Sequence, residues 1–295
     1  GSTVRPPEPS FLRCFLPGLY TVVQTAPATS LLPDVEAIVA VASGKGGVGK
    51  STTAVNLAVA LASLGQRVGI LDADVYGPSL PRMLGVTEKP RTLKNKQIAP
   101  LEAHGLKIMS MGFMVPEDTA MVWRGPMVMG ALEQMMREVA WGELDMLVVD
   151  MPPGTGDAQL TMAQRVPLAG AVIVSTPQDI ALIDARKGMS MFAKVNVPVL
   201  GIIENMSTFI CPKCGERTDI FGNGGARAEA ERLGCDFLGE IPLDVAIRVT
   251  SDSGQPITAS EPDGPLAAAY RDVASTVLAR TSGATTRPAP NISMD

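Results

Sequence analysis

The chain has 295 residues, 46% of them hydrophobic and 19% charged, with a net charge of −5. That balance fits a well-packed globular protein and excludes a disordered one, and an acidic total without a basic stretch argues against sequence-independent nucleic-acid binding. Four cysteines make no disulfide framework in a chain this long, and no apolar run approaches the roughly 18–20 residues of a membrane-spanning helix.

Residues 1–35 are rich in Pro, Ser and Thr and are expected to be irregular; the mildly apolar stretch 11–23 is broken by Arg13, Pro17 and Gly18. From there short β-branched runs alternate with amphipathic stretches, the pattern of βαβ units. Strands are predicted at 37–42, 67–71, 106–110, 145–150, 170–175 and 197–203, with a short last one at 237–239. Helices are predicted at 50–63, 126–139, 157–165, 180–194, 225–233 and 264–279. The expected fold class is α/β: a doubly wound, mainly parallel sheet with helices on both faces, forming one domain over 36–280. A tail at 281–295, rich in Pro, Thr and Ala, is expected to be disordered.

The first predicted strand runs straight into Ser43-Gly44-Lys45-Gly46-Gly47-Val48-Gly49-Lys50-Ser51-Thr52. Gly44-x-x-x-x-Gly49-Lys50-Ser51 is a Walker A phosphate loop, set between a buried strand and a helix as that motif requires. Its glycines let the backbone N–H groups of the loop curl around a β-phosphate, and the helix N-terminus adds a favourable dipole. Lys50 is placed for the β- and γ-phosphates and the Ser51 hydroxyl for Mg²⁺, so the chain is expected to bind a nucleoside triphosphate. The second lysine, Lys45, has two readings: a solvated side chain, or a group reaching a nucleotide on a partner subunit as an arginine finger does.

The second predicted strand continues into Asp72-Ala73-Asp74, then Tyr76-Gly77-Pro78-Ser79. Leu147-Val148-Val149-Asp150 puts a carboxylate at a strand's carboxyl end, where a Walker B aspartate joins Ser51 at Mg²⁺. The following Pro152-Pro153-Gly154-Thr155-Gly156-Asp157 joins a rigid pair to freer glycines, a loop suited to sensing the γ-phosphate through its backbone. His104, the only histidine, sits in a polar stretch away from these motifs and reads as a surface turn.

Cys211-Pro212-Lys213-Cys214-Gly215 is a knuckle that presents two thiolates to one metal. It supplies half of a four-thiolate site, and neither Cys14 nor Cys235 has a matching partner. A two-fold axis solves the shortage, with Cys211 and Cys214 from each of two subunits around Zn²⁺ or an iron–sulfur cluster. A redox role for the pair lacks thioredoxin-like context.

The phosphate loop with its extra lysine resembles the "deviant" Walker A of the ATPases that include septum-site, partition, arsenical-pump and nitrogenase iron proteins. In that group the lysine equivalent to Lys45 acts between subunits, and the second acid after the second strand, here Asp74, orients or deprotonates the attacking water, with Asp72 in support. Adding Trp123-Arg124-Gly125-Pro126, Ser175-Thr176-Pro177-Gln178-Asp179, Glu204-Asn205-Met206-Ser207 and Gly239-Glu240-Ile241-Pro242-Leu243-Asp244, the chain is similar over roughly 36–280 to the Mrp/ApbC family of P-loop iron–sulfur carriers. The resemblance implies a slow ATPase and a homodimer, with a labile [4Fe–4S] cluster between subunits and ATP coupled to its loading or its transfer to apo-proteins. It also implies that Asn205 reads the adenine, with Pro242 near the base. Many bacterial members carry a small extra domain ahead of the ATPase, where about thirty-five unmatched residues stand here. The expected compartment is the cytoplasm, or a mitochondrial matrix. The rival readings are a zinc-stapled dimeric ATPase and a septum- or partition-type positioning ATPase. The second of these lacks both a basic DNA-binding surface and an amphipathic C-terminal membrane helix.

Overall fold

The computed structural model describes residues 31–75, 77–113 and 125–282. Its strands are β1 (Val35–Ala42), β2 (Val68–Asp72), β3 (Leu101–Ala103), β4 (Leu106–Ser110), β5 (Leu144–Asp150), β6 (Gly170–Ser175), β7 (Val199–Asn205), β8 (Phe209–Ile210), β9 (Arg217–Thr218) and β10 (Phe237–Ile241). The helices are α1 (Lys50–Ser63), α2 (Leu80–Met83), α3 (Gly125–Glu138), α4 (Asp157–Arg165), α5 (Asp179–Lys194), α6 (Gly225–Leu233), α7 (Val245–Asp252), α8 (Ile257–Ser260) and α9 (Pro265–Thr281). Eight strands form one sheet in the order β10-β7-β6-β1-β5-β2-β4-β3, parallel except where β3 pairs antiparallel with β4. The chain winds outward in both directions from β1 and β5, which is the doubly wound arrangement expected of this fold class.

The apolar runs of the central strands follow from burial on both faces. Along β1, Ile38, Ala40 and Ala42 join the core under α3–α6, while Val39 and Val41 face the core under α1 and α7–α9. β5 divides the same way, with Leu147 and Val149 on one side and Met146 and Val148 on the other. Tyr270 of α9 is buried in the second core, and its hydroxyl has no hydrogen-bond partner. Tyr270→Phe removes that stranded group and keeps the ring, so stability in urea should rise by about 1 kcal/mol.

Differences from the sequence reading lie at ends and in short pieces. β7 starts after Pro198, which has no N–H for the ladder, and runs two residues beyond the predicted end to include Asn205. Arg67 stays outside β2, its guanidinium held at the surface by Asp145 and Glu143. Val35 begins β1 where an irregular segment was expected to continue. The tail was expected from 281, but Thr281 is buried and closes α9, its hydroxyl donating to Val277 O at 3.0 Å. The unpredicted β3 is closed onto β4 by His104-Gly105, with φ of 51° and 75°, a tight hairpin turn. His104 lies there half-buried, its Nε2 3.1 Å from Gly254 O. The stretch 11–23, Cys14, Tyr76, Trp123, Arg124 and residues 283–295 lie outside the described residues.

Candidate functional site

The carboxyl ends of β1, β2, β5, β7 and β10 share one edge of the sheet, the edge where open α/β sheets bind ligands. The phosphate loop crosses it between β1 and α1. Two of its glycines are dictated by contact. A Cβ on Gly44 would stand 2.1 Å from the Asp184 backbone of α5, and one on Gly49 2.2 Å from Asn205 Nδ2, where φ is already 78°. Helix α1 has no side-chain cap and no acid in its first turn, which leaves that end to an anion.

Within the loop, the Lys45 carbonyl accepts a hydrogen bond from Ser43 Oγ at 2.8 Å, and Gly46 and Gly47 are exposed. Val48 is buried, and its carbonyl accepts from Asn205 Nδ2 at 2.8 Å. Lys50 is buried and its Nζ forms an ion pair with Asp150 Oδ1 while donating to Ser51 Oγ at 3.2 Å. The Thr52 carbonyl accepts from Asn56 Nδ2 at 2.9 Å, which steadies the first turn of α1. Gly154 N–H donates to Ser43 O at 3.0 Å, tying the Pro-Pro-Gly loop to the phosphate loop.

Asp72 and Asp150 face each other in register on β2 and β5, and both are wholly buried. Burial pushes the Asp150 carboxyl up, against the pull of Lys50 and Ser51. Asp72 is pushed up to about 7, by burial first and then by the charge of Asp150. Its oxygens accept from Asp74 N–H at 3.1 Å, Ser79 N–H at 3.1 Å, Leu80 N–H at 3.2 Å and Ser110 Oγ at 2.9 Å. Asp72 thereby pins the loop that carries Asp74, itself buried at the edge of the site. Ser110, on β4, gave no signal in the sequence. A polar residue closing an otherwise apolar strand is its only trace.

The cysteine pair sits at the tip of the hairpin β8–β9, which leaves that edge after β7. Cys211 N–H donates to Glu216 O at 2.9 Å and Gly215 N–H to Cys211 O at 2.8 Å, with Gly215 at φ 74°. Hydrogen bonds from the N–H groups of Cys214 and Lys213 hold the Cys211 thiol below its usual range, as a metal-binding thiolate requires. Cys214 is exposed. Among the described residues no three His, Cys, Asp or Glu side chains gather where they could hold a metal, so Cys235 does not complete the set.

The profile of the ParA family described as NUBPL iron-transfer P-loop NTPase matches residues 34–278. The chain belongs to that family. This NUBPL-family chain is 57% identical over 243 residues to the iron–sulfur cluster transfer protein NUBPL of Dictyostelium discoideum, covering 82% of it and 75% of that protein. It is 56% identical over 247 residues to the iron–sulfur cluster carrier protein of Escherichia coli K12, covering 83% and 67%. Among solved structures, a nucleotide-binding protein from Archaeoglobus fulgidus in complex with ADP, described with Co, superposes with a TM-score of 0.69. That structure is 41% identical, over 79% of this chain and 91% of its own.

In the NUBPL-family chain Asn205 closes β7 and Pro242 follows β10 beside it, since Asn205 and Ile241 are paired in register. The Asn205 amide is engaged with the phosphate loop, and Pro242 is half-buried. No helix among the described residues is long and apolar enough to cross a membrane.

Proposed function

We propose that this chain is an ATP-dependent iron–sulfur cluster carrier. Two copies hold a labile [4Fe–4S] cluster through Cys211 and Cys214 of each, and pass it to apo-proteins in a bacterial cytoplasm or a mitochondrial matrix. The observation that carries this reading is a knuckle of two thiols on a backbone-fixed turn, with no third ligand in reach among the described residues. The names of the relatives support it. Exposed Ile210 and Ile220 flank the knuckle and favour a covered hairpin over a solvated one.

At the sheet edge, residues 44–52 take the phosphates of ATP and Lys50 neutralises charge on the β- and γ-phosphates. Mg²⁺ fits the residues present, because Asp150 Oδ2 is a buried carboxylate oxygen without a partner, beside Ser51. When bound, the ion offsets the negative charge that grows on the phosphate oxygens. Asp74 orients the attacking water, and Lys45 of one subunit reaches the nucleotide of the other. Asn205 and Pro242 lie towards the base. Asp74→Asn should lower ATP turnover by about 10²–10³-fold and leave ATP affinity within about threefold, as filter binding and phosphate release will show.

The deciding experiment is anaerobic reconstitution of the wild-type protein with iron and sulfide, followed by incubation with an apo-ferredoxin. Broad visible absorption with about four irons per dimer, and activation of the acceptor, are expected. A colourless dimer that keeps about one zinc would overturn the carrier reading in favour of a zinc-stapled ATPase.

A further inference from the structure

Glu204 is a carboxyl group buried inside the sheet, at the next-to-last position of β7. Burying such a group is costly unless its oxygens are satisfied, so its partners carry information. Oε1 accepts from Gly224 N–H at 3.2 Å and Oε2 from Ala226 N–H at 2.7 Å, both at the start of α6. The helix dipole adds to that hold. The next residue, Asn205, points to the opposite face, as alternation along a strand demands, and donates to the phosphate loop at Val48 O.

The cysteine hairpin is strung between these two residues. It leaves the sheet directly after Asn205, through Met206 at φ 57°. Ser207 N–H then donates to Ile241 O at 3.0 Å and Leu243 N–H to Thr208 O at 2.7 Å, which fixes the outgoing strand to the end of β10. The returning strand passes Asp219, which accepts from Asn223 Nδ2 at 3.0 Å, and arrives at the Gly224 and Ala226 N–H groups that Glu204 holds. One end of the hairpin is therefore anchored by the residue that grips the phosphate loop, and the other by its neighbour. A shift of the loop that moves Asn205 displaces both ends together.

We propose that Glu204 is a positioning residue that couples the cysteine knuckle to the phosphate loop, so that nucleotide and metal each change the other's affinity. This rests on the carrier reading above. Linkage makes the effect reciprocal: the factor by which nucleotide alters metal binding equals the factor by which metal alters nucleotide binding. A residue that only stabilises the fold leaves that factor untouched while lowering the melting temperature.

The test uses Co²⁺ alone as the probe of the thiols, through its thiolate charge-transfer absorption, with and without the non-hydrolysable analogue AMP-PNP. Wild type should show a coupling factor of about fivefold or more, equal in both directions. Glu204→Ala, which leaves both N–H groups unheld, should bring the factor to about one. Glu204→Gln keeps one carbonyl acceptor and should retain an intermediate value, which guards against misfolding of the alanine variant. Full wild-type coupling in Glu204→Ala overturns the proposal, as does wild type that binds both ligands independently. Wild type that takes up no Co²⁺ at Cys211 and Cys214 overturns the carrier reading, and this inference with it.

Discussion

Lys50→Ala is expected to abolish ATP turnover, by about 10³-fold or more, and to make the fold more sensitive to pH than the wild type, in which Asp72 and Asp150 are already raised. The first effect follows from the place of Nζ in the phosphate loop. The second follows from the ion pair by which Lys50 neutralises Asp150 in a site that excludes water from both side chains. Removing one member of a buried pair costs about 3–5 kcal/mol when the other must stay charged. Asp150 has an escape, because burial already pushes its carboxyl above the ordinary range and Lys50 is the main force opposing that shift. Without the lysine its folded-state pKa rises further above the unfolded value of about 3.9, and the folded state binds a proton that the unfolded state releases. Stability of the variant should thus be greatest in acid and fall as pH rises through that elevated pKa. Thermal melts at about pH 5 and pH 8 measure this directly. Equal losses of melting temperature at both would show that Asp150 is not the group being neutralised.

The parts of the site readable in the sequence are those where local chemistry leaves little choice. Gly44 and Gly49 are legible because no other residue fits their contacts, and helix 50–63 is found to the residue because the motif sets its start. The two-sided burial of β1 and β5 likewise writes itself as continuous apolar runs. Illegible were pieces too short to show a period, such as the four-residue helices α2 and α8 and the half-exposed β3. Helix α7 had a usable signal that went unread, since Asp244 caps it by accepting from Ala246 N–H at 2.7 Å. Glu204 and Ser110 illustrate a further limit. Each is a polar residue at the end of an apolar strand, and only the fold reveals which distant N–H or carboxylate makes its burial tolerable.

Cys214→Ala should eliminate cluster uptake while leaving the subunit's stability within about 0.5 kcal/mol of wild type. The separation of the two effects is the point of the experiment. Cys214 is exposed, and although its thiol also hydrogen-bonds Cys211, its backbone N–H is the larger hold on the Cys211 thiol and survives the substitution. The hairpin is kept by the Cys211–Glu216 and Gly215–Cys211 backbone bonds and by Gly215 in its left-handed turn, none of which involves the missing sulfur. In the proposed shared site the substitution removes two of the four thiolates, one from each subunit, and the two that remain cannot close around a cluster. Iron content after reconstitution should therefore fall to background, and any dimer held together by the cluster should run as monomer in gel filtration. ATP binding at the sheet edge should persist in the same preparation, which separates lost cargo from a lost fold. Retention of about four irons per dimer in the variant would place the cluster on other ligands and remove the knuckle from the mechanism.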